Sequence, residues 1–233
     1  MLAMRLRFLL PDHHLSVETK DSVKLAMGLV ATMTALILGL MVASAKQGYD
    51  AQKADVIVAA AKFVMLDRML DHYGPGAEQA RELLRQSAGY MIDRLWPQKD
   101  SQAVQLDPST SPGDALFPVI QALPEPDGVR ASFKEKAMAE AVSLGEVRWL
   151  LYEQDGRAIS APLVVLLVVW IAILFFSFGL FAPANGTAIT ALLLSAFSVA
   201  CAVFLILELD GPFEGLIHIP SGPMLMAITH LGK

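Results

Sequence analysis

AISAPLVVLLVVWIAILFFSFGLFAPANGTAITALLLSAFSVACAVFLIL, residues 158–207, is a run of 50 positions without one Asp, Glu, Lys or Arg. A water-soluble domain has no use for such a run, and about 20 apolar residues suffice to cross a bilayer. The run is therefore long enough for two spans. One break interrupts it, Ala182-Pro183-Ala184-Asn185-Gly186. Proline lacks a donor and Asn-Gly is turn chemistry. The pattern predicts a helical hairpin, Ala161 to Phe181 and Thr187 to Leu207, within transmembrane segments assigned to 158–182 and 187–207. Trp170 lies inside the hairpin and marks no interface. Trp149 and Tyr152, just before it, are the candidate aromatic anchors.

A further apolar stretch, 23–45, carries one charge, Lys24, at its edge and predicts the first span. Ala43-Ser44-Ala45 has the form of a signal-peptide cleavage site. The apolar segment is too long for a signal peptide, and the 22 residues before it contain three acids, so the stretch is read as a span. Segment 1–22 precedes it and segment 208–233 forms a C-terminal tail. The class is an all-α integral membrane protein with three transmembrane helices and a helical extramembrane region.

That extramembrane region is residues 46–157, with 13 basic and 17 acidic side chains. Helical spacing of apolar residues predicts a helix over Ala51 to His72, stopped by Tyr73-Gly74-Pro75-Gly76. A second is predicted over Ala77 to Leu95, with Glu78 and Glu82 near its start and Arg94 near its end, as the macrodipole favours. Residues 97–131 hold six prolines and read as an irregular loop. Ser132 with Glu135 suggests a capping box opening a third helix, Phe133 to Glu153. Gly215 to Pro220 is the one β-like piece, expected as an extended tail segment.

Composition excludes several functions. A net charge of −5 argues against nucleic acid as a partner, which needs a basic footprint. One cysteine, Cys201, excludes a disulfide framework and any multi-Cys metal site. His13, His14, His72, His218 and His230 include no pair spaced to bind metal from one helix face. No phosphate loop, nucleophile elbow or paired-carboxylate signature appears. The expectation is no catalytic residue, no metal and no cofactor. Asp67-Arg68 is expected to serve a helix–helix ion pair.

The first span carries Ala31, Ala35, Gly39 and Ala43, small residues every fourth position. Such spacing allows close helix approach in lipid. The stripe serves either packing against the hairpin or packing between subunits of an oligomer. Glu208, Asp210 and Glu214 follow the last span, where carboxylates oppose the helix dipole. They either pair with Arg157 or Lys46 or form an acidic vestibule for cations.

Several segments together carry a resemblance. Residues 10–21, Leu-Pro-Asp-His-His-Leu-Ser-Val-Glu-Thr-Lys-Asp, run into Lys24-Leu-Ala-Met-Gly-Leu-Val-Ala-Thr. Leu38-Gly-Leu-Met-Val-Ala-Ser-Ala-Lys follows, then Leu66-Asp-Arg-Met-Leu-Asp-His-Tyr-Gly-Pro, and finally Glu208-Leu-Asp-Gly-Pro-Phe-Glu-Gly-Leu-Ile. Together they resemble the bacterial bestrophin-like family of membrane proteins, over most of the chain except the Pro-rich loop. The resemblance implies a bacterial inner-membrane protein with its soluble region in the cytoplasm, assembled as a homo-oligomer, a pentamer by precedent, in lipid, and passing small ions. It also implies four spans in a 2 + 2 arrangement. Here only Met1 to Phe8 stands where the family's extra span would be: either the start is placed late or this member lacks that helix, and the sequence as it stands is expected to hold three spans. The positive-inside comparison is nearly balanced. Arg5, Arg7, Lys20 and Lys24 lie on one side, and Lys46, Lys53, Lys62, Arg148 and Arg157 on the other.

By the same resemblance the first span is the pore helix. The pore-lining candidates are Met33, Leu36, Ile37 and Leu40, with Thr32 near the entrance. They would make an apolar constriction that gates by dewetting. The competing expectation is a non-conducting scaffold or sensor whose soluble helices bind a partner, since no charged or carbonyl filter is visible.

Overall fold

One uninterrupted α-helix, α1, runs from Val17 to Tyr73. It joins the expected span at 23–45 to the expected soluble helix at Ala51 to His72. The expected break between them is absent, for a physical reason. Lys46 to Asp50 changes polarity but contains no proline, and its lone Gly48 costs only about 1 kcal/mol relative to alanine in a helix. A change of solvent is not a helix stop.

The computed structural model describes residues 17–97, 112–124, 128–153, 161–183 and 185–232. Among these, α1 is followed by a 3-10 turn at Pro75–Ala77, then α2 (Glu78–Leu95), α3 (Pro112–Gln121), α4 (Gly128–Glu153), α5 (Ala161–Phe181), α6 (Gly186–Leu209) and α7 (Gly222–His230). No strand occurs among the described residues. The chain divides into two compact units. One comprises Met1–Gly48 and Arg157–Asp210, the other Tyr49–Gly156 and Gly211–Lys233.

Among the described residues, three helices are long and apolar enough to cross a membrane: α1, whose first part belongs to the first unit, α5 and α6. Most apolar side chains of α5 and α6 are not buried by protein. Exposed apolar area costs roughly 25 cal/mol per Å² in water, so this surface belongs in lipid, and the protein is a membrane protein. The hairpin falls where the sequence places it. Asn185 caps α6, its side chain accepting the Ala188 N–H at 2.8 Å, which satisfies one orphan donor of the first turn. The α6 helix runs two residues beyond the expected Leu207, to Leu209.

The second unit is a helical layer with its own core. Val56, Phe63, Leu66 and Leu70 of α1 face Leu84 and Met91 of α2, Leu116 and Ile120 of α3, and Met224 of α7 in one buried cluster. The stop of α1 is Gly74, at φ 104°. Only glycine adopts that left-handed conformation without cost.

Three expectations fail here. The 97–131 segment contains α3, because Pro112 stands at its first position, where proline suits a helix. Leu116 and Ile120, one turn apart, bury its inner face. Second, α4 begins at Gly128, so Ser132 lies inside the helix and the capping box is unused. Third, the tail folds. Gly215 to Pro220 is a series of bends with no partner strand, tied by the Ile219 N–H to Pro212 O bond at 2.7 Å. After it α7 forms, with Pro223 in its first turn and Met224 and Ala227 buried.

Candidate functional site

The membrane half of α1 has one inward face. Thr34, Met41 and Ala45 are buried, and their spacing of seven and four residues keeps them on a single stripe. Opposite them, the helix is uncovered. Leu36 is 74% exposed and Leu40 68%, and Met33 is 46% exposed. Thr32 is also exposed, while Ile37 is half-buried on the flank.

The small-residue stripe is not the packing face of α1 against the described residues. Ala31 is half-buried, but Ala35, Gly39 and Ala43 are exposed, and a Cβ built on Gly39 meets no atom within 4 Å. The reason is geometric. A residue turns a helix by about 100°, so a four-residue repeat drifts by about 40° per step. By Ala43 the stripe has moved onto the outward face beside Thr32 and Leu36. The two sets of candidates thus merge into one exposed surface: Thr32, Leu36, Gly39, Leu40 and Ala43.

This surface presents little polarity. The Thr32 hydroxyl donates to Gly28 O at 2.9 Å. The buried Thr34 hydroxyl donates to Val30 O at 2.7 Å. Both are spent on the preceding helical turn, as helical threonines allow.

The acidic candidates fall in different units. Glu208 and Asp210 close α6 in the first, half-buried and engaged with neighbouring groups. Asp210 is the C-cap, its N–H bonded to Ile206 O. Glu214 is exposed in the second. Arg157, one expected partner, lies outside the described residues, as do His13, His14 and Ala184. No cluster of three His, Cys, Asp or Glu side chains suited to a metal occurs among the described residues. Cys201 is exposed on α6.

The second unit holds the strongest polar geometry. Asp67 is buried on α1. Its carboxylate accepts Arg81 Nε at 2.8 Å and Nη2 at 3.0 Å, and the backbone N–H of Gly232 at 3.0 Å. Burial alone raises the Asp67 pKa. The bonds from Arg81 and Gly232, with the charges of Arg81 and Arg85, outweigh that and hold it below the ordinary value. Arg81 also binds Asp71 at 2.8 Å. The expected ion pair is present, and its partner is Arg81 of α2, while Arg68 is exposed. Beside the tail, Trp96 Nε1 donates to Ile219 O at 2.7 Å and Tyr49 Oη to His218 O at 3.3 Å.

A second polar cluster joins α2, α3 and α4. Arg148 is buried and pairs with Asp114. Gly113 makes this possible, because a Cβ there would collide with the guanidinium. One turn on, Tyr152 is only 8% exposed, with the Arg94 guanidinium carbon 4.3 Å from its ring centroid. Tyr152 is therefore no membrane-interface anchor: its ring is packed under a cation in the second unit. Trp149 is exposed. Sequence spacing gives no sign of this cluster, whose members are 34 and 58 residues apart.

Compared with known proteins, residues 1–224 match the family described as Bestrophin-like domain. No curated protein and no solved structure matches the chain.

Proposed function

We propose, since the chain belongs to the bestrophin-like family, that it is a subunit of an oligomeric membrane channel for small ions. The observation that supports this most directly is the outward face of α1. Thr32, Leu36, Gly39, Leu40 and Ala43 form a surface that is exposed among the described residues. A single subunit with three spans cannot enclose an aqueous path, so conduction requires copies around an axis. In that arrangement Gly39 and Ala43 admit close helix approach, and Leu36 and Leu40 form an apolar neck. By the family's precedent the assembly is a pentamer in the bacterial inner membrane with the soluble unit in the cytoplasm. No enzymatic step is proposed.

A second reading is a non-conducting scaffold. It is favoured by one observation: the Thr32 hydroxyl, the polar group on the outward face, is bonded to its own helix. An oligomer with that lining has no polar filter.

Mass measurement of the purified protein in detergent tests the proposal first. A defined oligomer is expected, and a clean monomer overturns the channel reading. Current in a planar bilayer then separates channel from scaffold.

A further inference from the structure

We infer that the second unit carries both halves of a contact between copies of this chain: an apolar stripe of α1, and a groove between α3 and α4 that receives it. This rests on the chain being a subunit of an oligomer, as proposed, and adds where the copies meet. Beyond Tyr49, α1 exposes Ala54, Ile57, Val58, Ala61 and Met65. Their spacing of three and four residues puts them on one helix face, the pattern by which a helix enters an apolar groove. Lys53 and Arg68, both exposed, stand at the ends of the stripe. Asp50, one turn before it, is engaged with neighbouring groups, and Asp71 beyond it is bound by Arg81.

The groove runs along α4 beside α3. Gly128 and Trp149 mark its ends, and Phe117 and Val142 line its middle. Gly128 to Trp149 spans about 32 Å of helix and Lys53 to Arg68 about 22 Å, so the stripe fits within the groove. Of the charged groups along it, Arg148 is buried and paired with Asp114, and Lys134 donates to Leu123 O at 2.7 Å. Glu135 and Glu146 remain, both exposed. Cations thus bound the stripe and carboxylates bound the groove, and such complementarity fixes partner and register. None of these four charges makes an ion pair among the described residues.

The two faces meet only between copies. Glu140 reaches α1, where it takes Lys62 at 3.1 Å. Val142 lies two residues on, and two residues turn a helix by about 200°. The groove therefore opens on the side of α4 away from α1, and the chain's own stripe cannot fill it. A contact between unlike surfaces is head to tail, and it closes into a ring when the rotation allows.

The test uses the full chain in membranes, with Cys201→Ser removing the native exposed thiol. Ala61→Cys and Val142→Cys are introduced together and treated with a short bis-maleimide. Denaturing gels should show a ladder of covalent multimers for the paired variant, and nothing beyond a dimer for either single variant. Lys53→Glu with Arg68→Glu should cut the ladder severalfold, and adding Glu135→Lys with Glu146→Lys should restore it. No ladder from the paired variant, or a ladder indifferent to the reversed charges, overturns the contact. Mass measurement of the same protein in detergent separates the causes. An oligomer without the ladder leaves the channel reading standing and gives the groove another occupant, whereas a monomer ends both.

Discussion

Asp67 and Arg81 meet fork to fork, with two nitrogens of one guanidinium on the two oxygens of one carboxylate at 2.8 and 3.0 Å. The pair fastens α1 to α2, and through the Gly232 N–H bond it also holds the chain's tail. Asp67→Ala should therefore destabilise the second unit by about 3 kcal/mol, the cost of leaving the largely buried Arg81 charge with only the exposed Asp71 as its partner. Urea denaturation of the purified protein measures this, and limited proteolysis should show the 222–232 segment cut first. Loss below about 0.5 kcal/mol would place the pair among exposed ion pairs of no consequence.

The same carboxylate sets an acid limit. Its pKa is lowered in the folded protein from the ordinary 3.8. A lowered pKa contributes stability that is present above 3.8 and lost as pH falls through the folded value. The unfolding midpoint of the second unit should drop below pH 4, and Asp67→Asn should flatten that drop. An unchanged acid profile in the Asn variant would assign the acid sensitivity to other carboxylates.

Gly113→Ala tests the Arg148 seat. The added carbon would strike the Arg148 guanidinium and lie 2.8 Å from Ser87 Oγ. Overpacking of this kind costs about 1–3 kcal/mol. Gly89→Ala is the control, since a Cβ there meets nothing within 4 Å. Comparable stability of the two variants in the same urea titration would show that Arg148 moves aside freely.

What the sequence discloses, and what it hides, follows from the range of each signal. The hairpin is legible because Pro183 and Asn185 act within a turn of their own position, and α5 has the expected bounds. The α3 helix is missed because Pro112 reads as part of a Pro-rich loop, whereas a proline in the first turn starts a helix; α7, with Pro223 in its first turn, lies in a segment read only as a tail. The α1 helix is divided in error because hydropathy reports solvent, not backbone continuity. The α1 candidates are legible as a set. Their faces are not, because a four-residue repeat drifts around the helix by about 40° per step. Arg81 as partner of Asp67 and Arg94 as neighbour of Tyr152 depend on tertiary packing over 14 and 58 residues, for which one sequence carries no sign.

Gly39 provides the cleanest test of assembly. The space around it within the chain is open, so Gly39→Leu should leave the fold and membrane insertion intact. Between copies the same side chain would separate two helices and lose packing that lipid does not replace. Detergent mass measurement should show loss of the oligomer with unchanged helicity. An oligomer of unchanged size would show that this part of the outward face meets lipid.

Conduction is the last question the outward face poses. Leu36 and Leu40 are strongly exposed on this face, while Ile37 is half-buried. If copies place this face at their axis, these leucines form an apolar neck closed by dewetting. Replacing both with alanine should widen it and raise planar-bilayer current severalfold, and Ile37→Ala should have a smaller effect. Equal silence of the wild-type and double-alanine proteins across ion types and voltages would favour the scaffold. If the variant conducts, the ion preference tests the carboxylates. Glu208 and Asp210 end α6, with Glu214 four residues on. Repeated around an axis, they would favour cations. Neutralising all three to amides should then lower the cation-to-anion permeability ratio. An unchanged ratio would leave Glu208 and Asp210 with their neighbours in the fold, as ordinary structural pairs.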